Sequence, residues 1–185
     1  ASTIVLPGIP AATRPTLAAF TWLNQASATA TDNTAGPLVL QTTQNTVSTT
    51  GINALIKSTA GSDWTVTIEY ALGNHVAAGN VDIAGLAVYN STSGRLYVMG
   101  PYGAAIAVWA YNNTGSYNSI PAQSSVLLTP AAIWSRAQYV SATSTLTFSY
   151  STDGFTWQTV YNTSAPFVGV PTGYGIAVGT EGNAS

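Results

Sequence analysis

The sequence predicts a β-hairpin over the residues Thr145-Leu-Thr-Phe-Ser-Tyr-Ser-Thr-Asp-Gly-Phe-Thr-Trp-Gln-Thr-Val-Tyr161. Leu146, Phe148 and Tyr150 alternate with hydroxyl-bearing residues, which is the period of a strand with one face in a core. Asp153-Gly154 is a strong turn signal, because both residue types tolerate the positive φ that tight hairpin turns require. The returning segment also alternates, but its pattern does not show which face is buried. A lone hairpin is barely stable in water, so further strands must cover this one.

Other β-rich segments, each short and bounded by turn residues, lie on both sides of the hairpin. They span 17–24, 37–43, 51–57, 64–72, 83–90, 94–100, 104–111, 133–140 and 173–179, and the hairpin itself spans 145–151 and 156–161. No window combines the helical spacing of apolar residues over three turns with a capping signal. We therefore expect an all-β protein, a two-sheet antiparallel β-sandwich or jelly roll over residues 17–185.

The segment 64–72 is the clearest of these strands, since its large apolar residues share one face, namely Trp64, Val66, Ile68, Tyr70 and Leu72. Residues 90–94, Asn-Ser-Thr-Ser-Gly, predict a hairpin loop. The longest polar interruption covers 112–131 and predicts a long loop, which is where binding sites on rigid sandwiches commonly lie.

Residues 1–16 differ in character from the rest of the chain. Pro7, Pro10 and Pro15 cannot donate ladder hydrogen bonds, and the apolar residues between them need a partner surface. We expect an extended arm that tethers the protein or joins it to an assembly. Nothing resembles a signal peptide, and no apolar run approaches the roughly 20 residues of a membrane span, so membrane insertion is not expected.

Charged residues make up only 5% of the 185 residues, against roughly 25% in an ordinary soluble domain. This composition suits a protein of an assembly or of the extracellular space better than a free cytosolic enzyme. The basic residues are scattered, at Arg14, Lys57, Arg95 and Arg136, which argues against a nucleic-acid partner. The chain has no cysteine, so its stability must come from packing and a thiolate metal site is excluded.

Six acids and one histidine would have to carry any acid–base chemistry. Glycoside hydrolysis needs two carboxylates that flank the scissile bond, yet no acid lies within four positions of another. A pair assembled from distant strands remains open. His75 lies in a Gly-Asn-His segment typical of a surface loop. We therefore expect no catalytic residue, no metal site and no cofactor.

Sugar binding needs aromatic rings for the apolar faces of pyranoses and polar side chains for their hydroxyls. These residue types occur together within nine positions, as Trp109, Tyr111, Asn112, Asn113 and Tyr117. One interpretation is a ligand platform made of the three aromatic residues, with the two amides as hydrogen-bonding groups. The alternative is that Trp109 and Tyr111 belong to the core.

The residues 151–157 resemble the Asp-box turn of sialidases, with one residue fewer between the Asp and the Trp. That motif is a structural turn in those enzymes, and we expect the same here. Asp153 should accept backbone N–H groups, Gly154 should adopt a positive φ, and Trp157 should pack against the sheet.

Taken together, the motifs resemble the concanavalin A-like lectin/glucanase sandwich carried by virion proteins of tailed phages and prophages. The resemblance covers about 17–183, and the motifs that carry it are Phe20-Thr-Trp-Leu-Asn-Gln25, Gly36-Pro-Leu-Val-Leu40, Trp64-Thr-Val-Thr-Ile68, Ala84-Gly-Leu-Ala-Val88, Ser93-Gly-Arg-Leu-Tyr97, Gly100-Pro-Tyr102, Trp134-Ser-Arg136 and Leu146-Thr-Phe-Ser-Tyr-Ser-Thr-Asp-Gly154 with Trp157. These are strand and turn signatures, and they carry over no catalytic residue.

The resemblance implies a jelly roll displayed on a phage particle as a fibre, receptor-binding or capsid-decorating component. Its partners would be other virion proteins or copies of itself, through residues 1–16, and a cell-surface glycan in the receptor-binding case. We expect a homo-oligomer, made in the host cytoplasm and located on the virion. The alternative is a purely structural subunit with no ligand. Such domains usually close with an apolar strand after a segment like 173–178, so the first strands or a neighbouring copy must fill that place.

Overall fold

The computed structural model describes residues 15–26, 28–33, 37–42, 51–59, 62–71, 80–103, 105–124 and 133–182, without the side chains of 80–82 and 180–182. The predicted arm up to residue 14, and His75, lie outside these ranges. In chain order the strands are β1 (Thr21–Leu23), β2 (Thr29–Asp32), β3 (Leu38–Gln41), β4 (Gly51–Ser58), β5 (Trp64–Tyr70), β6 (Asn80–Tyr89), β7 (Leu96–Tyr102), β8 (Ala105–Asn113), β9 (Ser116–Gln123), β10 (Ile133–Val140), β11 (Thr145–Ser151), β12 (Gln158–Thr163) and β13 (Gly173–Gly182).

The strands form three sheets in which all pairs are antiparallel. A seven-stranded sheet has the order β1-β4-β13-β6-β7-β8-β9, a four-stranded sheet has the order β12-β11-β10-β5, and β2 pairs with β3 alone. The prediction of an all-β antiparallel sandwich is therefore confirmed. Two single 3-10 turns, Leu17–Ala19 and Ser141–Thr143, are the helical elements of the described ranges, where no helix has the length and apolarity needed to cross a membrane.

The main core lies between the seven-stranded and four-stranded sheets. The buried residues of this core come from both sheets, and the aromatic rings of Tyr97 and Phe148 meet edge to face with centroids 5.7 Å apart. From the predicted strand over 64–72, Trp64, Val66, Ile68 and Tyr70 pack against this core, which confirms the predicted face. Leu72 lies outside the described residues.

A second core lies on the opposite face of the seven-stranded sheet. In β8, Ile106 and Val108 belong to the main core, whereas the alternate residues Ala107 and Trp109 belong to the second cluster. The large sheet is therefore buried on both faces. Because such a strand is apolar at every position, the period-2 alternation of a half-buried strand is lost in it.

The organising hairpin consists of β11 and β12. Leu146, Phe148 and Tyr150 are buried, as predicted. The register shifts between Phe148, which pairs with Tyr161, and Ser149, which pairs with Thr159. This bulge breaks the simple alternation of β12, and it explains why the sequence pattern alone did not identify the buried face of the returning strand.

The last strand of the chain, β13, lies in the interior of the large sheet. It runs in the middle of that sheet, with β6 on one side and β4 on the other. The early strands β4 and β1 then extend the sheet to its edge. The first strands therefore lie beside β13, on the side away from β6.

Two sequence expectations need correction. The region 112–131 is not one long loop, because residues 116–123 form β9 and pair with β8. This strand was missed because it lies at a sheet edge, where polar residues and Pro121 are tolerated. Similarly, the predicted strand 17–24 shortens to β1, since Leu17–Ala19 forms the first 3-10 turn. The hairpin loop at 90–94 is confirmed between β6 and β7, with Gly94 at φ +73°.

Candidate functional site

The aromatic platform that the sequence suggested is not a surface in the structure. Trp109 and Tyr111 have no exposed area, and both belong to the second core. The ring of Tyr102 meets Trp109 edge to face at 5.9 Å. A buried ring offers no face to a sugar, so the core interpretation of these two residues is correct and the platform is wrong.

The other members of the predicted platform lie at the β8–β9 turn. Asn113 accepts the N–H of Gly115 through Oδ1 at 2.9 Å, and Asn112 donates through Nδ2 to Oγ of Ser116 at 3.5 Å. Tyr117 is 37% exposed and packs edge-on against the ring of Tyr111. These polar groups shape a turn, and one exposed ring is left beside them.

The β11–β12 turn is built around the carboxylate of Asp153. Its Oδ1 accepts the backbone N–H groups of Thr156 at 2.7 Å and Phe155 at 2.8 Å, and the hydroxyl of Ser151 at 2.8 Å. The bonds from Thr156, Phe155 and Ser151 favour the charged carboxylate and hold the pKa of Asp153 well below its usual range. This is the turn role that the sequence indicated for Asp153.

Gly154 brings this turn onto the four-stranded sheet. Its φ is +78°, a conformation that favours glycine, and a Cβ at this position would lie 3.3 Å from Cε2 of Trp134. Trp134 is half-buried on β10. The glycine therefore lets the backbone approach the indole closely.

Just beyond the turn, Trp157 meets Arg136 of β10. The guanidinium carbon of Arg136 lies 3.6 Å from the centroid of the Trp157 ring. The Nε of Arg136 donates to Oγ1 of Thr67 on β5 at 3.1 Å. Partial burial lowers the pKa of Arg136 from its usual value. An indole on one element and a hydroxyl on another thus hold this cation in place.

Trp134 and Arg136 lie on the face of the four-stranded sheet that points away from the main core, and the Trp157 ring contacts this face at Arg136. In β10, Ile133, Ala137 and Tyr139 are in the core, so the alternate residues Trp134 and Arg136 point outward. The ladder places Thr67 and Ser149 on either side of Arg136. We call this surface the outer face; it comprises Thr65, Thr67, Glu69, Trp134, Arg136, Gln138, Thr147, Ser149, Thr159 and Asn162, with Trp157 at its edge.

Hydroxyl and amide groups make up most of the outer face. Asn162 donates through Nδ2 to Oγ1 of Thr147 at 2.6 Å, and the hydroxyls of Ser149 and Thr159 lie 3.4 Å apart. Glu69 is an exposed acid on this face, opposite Trp134 in the ladder. The result is a polar surface with one cation and two indoles, a set of groups that can bind hydroxyls and an anion.

The sequence analysis did not predict the outer face, although one sequence pattern indicates part of it. The spacing of Trp134 and Arg136, two positions apart in a strand, places both on one face. The partner Trp157 lies directly before β12, at the end of the tight turn that contains Gly154. The contact between Arg136 and Trp157 depends on that tertiary arrangement, which periodicity does not encode.

The described carboxylates outside the outer face have structural hydrogen bonds. Asp63 accepts the N–H and the hydroxyl of Ser141 at 2.7 and 2.6 Å, and the bond from the hydroxyl is the larger cause that lowers its pKa. Asp32 accepts the N–H of Leu17 at 3.1 Å. Across the described ranges, no group of three His, Cys, Asp or Glu side chains is placed to hold a metal ion.

No protein-family model matches this sequence, and no curated protein matches it. The fold is similar to that of a functionally unknown protein from Saccharomyces cerevisiae, with 19% identity, a TM-score of 0.58, and coverage of 91% of this chain and 95% of that one. A GH43 glycoside hydrolase with an engineered active site, displaying both endo-xylanase and exo-arabinofuranosidase activity, matches at 16% identity and a TM-score of 0.44, over 72% of this chain and 32% of that chain. At 19% identity the first similarity shows the fold alone. The second, with its lower TM-score and partial coverage, shows nothing further about this chain.

Proposed function

We propose that the protein is a non-catalytic, glycan-binding virion component that holds its ligand on the outer face of the four-stranded sheet. The observation that carries the proposal is the fixed position of the Arg136 guanidinium between the Trp157 ring and the Thr67 hydroxyl. Side chains that are ordered before binding lose little entropy when a ligand arrives. The surrounding hydroxyls and amides are the groups that saccharide hydroxyls bind.

The virion assignment rests on the sequence motifs that resemble the concanavalin A-like sandwich of tailed-phage proteins. The composition agrees with it, since only 5% of the residues are charged and the net charge is -2. Weak mutual repulsion between copies favours close association in an assembly. The partners in this proposal are copies of the protein, other virion proteins and a host-surface glycan.

The test of glycan binding compares Trp157→Ala with Tyr117→Ala, because both remove one aromatic ring and only Trp157 borders the outer face. Binding of each purified variant to host cells and to a panel of bacterial envelope oligosaccharides is measured by titration. Loss of a central aromatic contact should weaken binding about tenfold or more, which corresponds to about 1.4 kcal/mol. We expect this loss for Trp157→Ala alone.

Thermal melts of both variants accompany the titrations, so that unfolding is distinguished from loss of contact. Equal binding by folded Trp157→Ala protein and wild type would place the ligand elsewhere. A loss confined to Tyr117→Ala would assign binding to the β8–β9 turn.

The absence of catalysis is part of the proposal. A glycosidase acid needs a raised pKa, whereas hydrogen bonds lower the pKa values of Asp63 and Asp153. We expect no hydrolysis of any saccharide that binds. Turnover that disappears on Glu69→Gln, with binding retained, would show instead that the outer face is an active site.

The second candidate function is a purely structural subunit without a ligand. Tryptophan and arginine are enriched at the centres of protein interfaces, so the outer face has suitable groups for a subunit contact.

Residues 1–16 are the second proposed contact in either case. Removal of residues 1–14 should leave the melting temperature nearly unchanged and abolish incorporation into particles. If Trp157→Ala also abolishes incorporation while cell binding is unchanged, the structural candidate is favoured.

A further inference from the structure

We propose that the ligand of the outer face is an acidic saccharide whose carboxylate pairs with the guanidinium of Arg136. This inference rests on the proposed glycan-binding function and adds the chemical class of the sugar. The positive charge of Arg136 and the groups beside it decide which saccharides fit.

Arg136 has no acidic partner within the described part of the chain. Its contacts there are with the Trp157 ring and the Thr67 hydroxyl. The acid on its own face, Glu69, is opposite Trp134 in the ladder, whereas Arg136 is opposite Thr67. A partly buried guanidinium without a counter-ion has lost hydration that an anion would replace.

The geometry of the side chain suits a carboxylate. The Trp157 ring lies against the guanidinium, and the bond to Thr67 uses Nε. Arginine presents its N–H groups as a planar fork that matches the two oxygens of a carboxylate. A ligand carboxylate would approach in the plane of this fork, past the edge of the indole.

The neighbours of Arg136 point to a sugar as the carrier of that carboxylate. Thr67 lies opposite it on β5 and Gln138 follows on the same strand face, and both are exposed, whereas Ser149, opposite it on β11, is buried. These hydroxyl and amide groups both donate and accept, as sugar hydroxyls do. A nucleic acid would need several cations in a row, and Arg136 is the one cation among the residues of the outer face.

Glu69 disfavours a second negative charge on the ligand. It lies in the next cross-strand row of the same face, so it repels negative charge near Trp134. An isolated carboxylate at Arg136, with a neutral sugar unit toward Trp134, satisfies both charges. We therefore expect weaker binding of saccharides that carry a second negative charge toward Trp134.

Arg95 provides a matched control, because it is also stacked on an aromatic ring. Its guanidinium carbon lies 4.5 Å from the Phe167 ring centroid, and its Nη1 donates to the carbonyl oxygen of Phe167 at 3.1 Å. Arg95→Gln removes the same charge as Arg136→Gln, at a place outside the outer face. The two variants separate a local effect from a change in net charge.

The experiment titrates wild type, Arg136→Gln, Arg136→Lys and Arg95→Gln with an array of acidic bacterial oligosaccharides. Each oligosaccharide is paired with its counterpart in which the carboxylates have been reduced to alcohols. We expect wild type to bind acidic members at least about tenfold more tightly than their reduced counterparts. Arg136→Gln should remove this preference, Arg136→Lys should keep part of it, and Arg95→Gln should leave it unchanged.

Equal binding of acidic and reduced members by wild type would overturn the acidic ligand. It would leave the proposed function intact if Trp157→Ala still weakened binding. Wild-type preference in folded Arg136→Gln protein would overturn the role of Arg136. Binding to no saccharide at all would overturn both proposals. If Arg136→Gln does not fold, Arg136→Lys takes its place in the test. A full wild-type preference for acidic over reduced oligosaccharides in Arg136→Lys would contradict the bidentate pairing.

Discussion

The guanidinium of Arg136 and the indole of Trp157 stack at 3.6 Å and so join the middle of the four-stranded sheet to the end of its hairpin turn. The Asp153 carboxylate orders that turn, and Gly154 lets it approach Trp134. The position of the proposed binding arginine therefore depends on a turn several residues away. Stability of the turn and binding at the outer face should be coupled.

Gly154→Ala should destabilise the protein more than Gly94→Ala. Both glycines have positive φ, at +78° and +73°, so each substitution meets backbone strain of about 1–2 kcal/mol. A Cβ at Gly94 would have no neighbour within 4 Å, whereas one at Gly154 would lie 3.3 Å from Trp134. Urea denaturation of both variants measures the difference. Equal losses would show that the turn does not press on the indole.

Asp153→Asn should lower stability modestly at neutral pH, because an amide oxygen accepts the same N–H groups but lacks the charge that strengthens those bonds. The two proteins should become more alike in acid. Hydrogen bonds from Thr156, Phe155 and Ser151 depress the folded-state pKa of Asp153 below its ordinary value of 3.8, so its charged-state stabilisation is present above about pH 4 and is lost as the pH falls further.

Melting temperatures measured from pH 7 down to about pH 2 test this difference. The wild-type curve should fall more steeply than the Asp153→Asn curve below about pH 4. Asp63, whose pKa is also lowered, titrates in both proteins and provides a common background. Parallel curves would mean that the turn does not distinguish the charged carboxylate from a neutral group.

Trp109→Ala should act on stability. Its side chain is fully buried, and truncation of a large aromatic core residue costs about 3–5 kcal/mol. Tyr117→Ala, at a residue that is 37% exposed on the neighbouring strand, is the control and should cost much less. Denaturant titration measures both. A small loss for Trp109→Ala would show that the second core is loosely packed.

The sequence predicted strands in both large sheets, but it indicated which residues are buried only where a strand has a single buried face. The segment 64–72 alternates because β5 separates a core from solvent. Trp109 and Tyr111 gave no such signal, because the large sheet is covered on both sides and every residue from 106 to 111 is buried. A buried indole and a sugar-binding indole look alike in that context.

The strand β9 was not predicted because it lies at the edge of the large sheet. Pro121 and the polar residues of β9 resemble a loop, yet an edge strand needs only one ladder of hydrogen bonds. The outer face was not predicted, because its central contact joins Arg136 to Trp157. The turn at Gly154 brings the hairpin close to β10, and the spacing of residues does not specify that approach.

The most direct measurement is an NMR titration of isotope-labelled protein with an acidic oligosaccharide from the array that binds. We expect the largest shift changes at the side chains of Arg136, Trp157 and Trp134, followed by the backbone amides of Thr67 and Ser149. The indole N–H of the buried Trp109 should be unaffected and provides an internal control. Changes centred on Tyr117 and the β8–β9 turn, with none at Arg136, would contradict the assignment of the outer face as the binding surface.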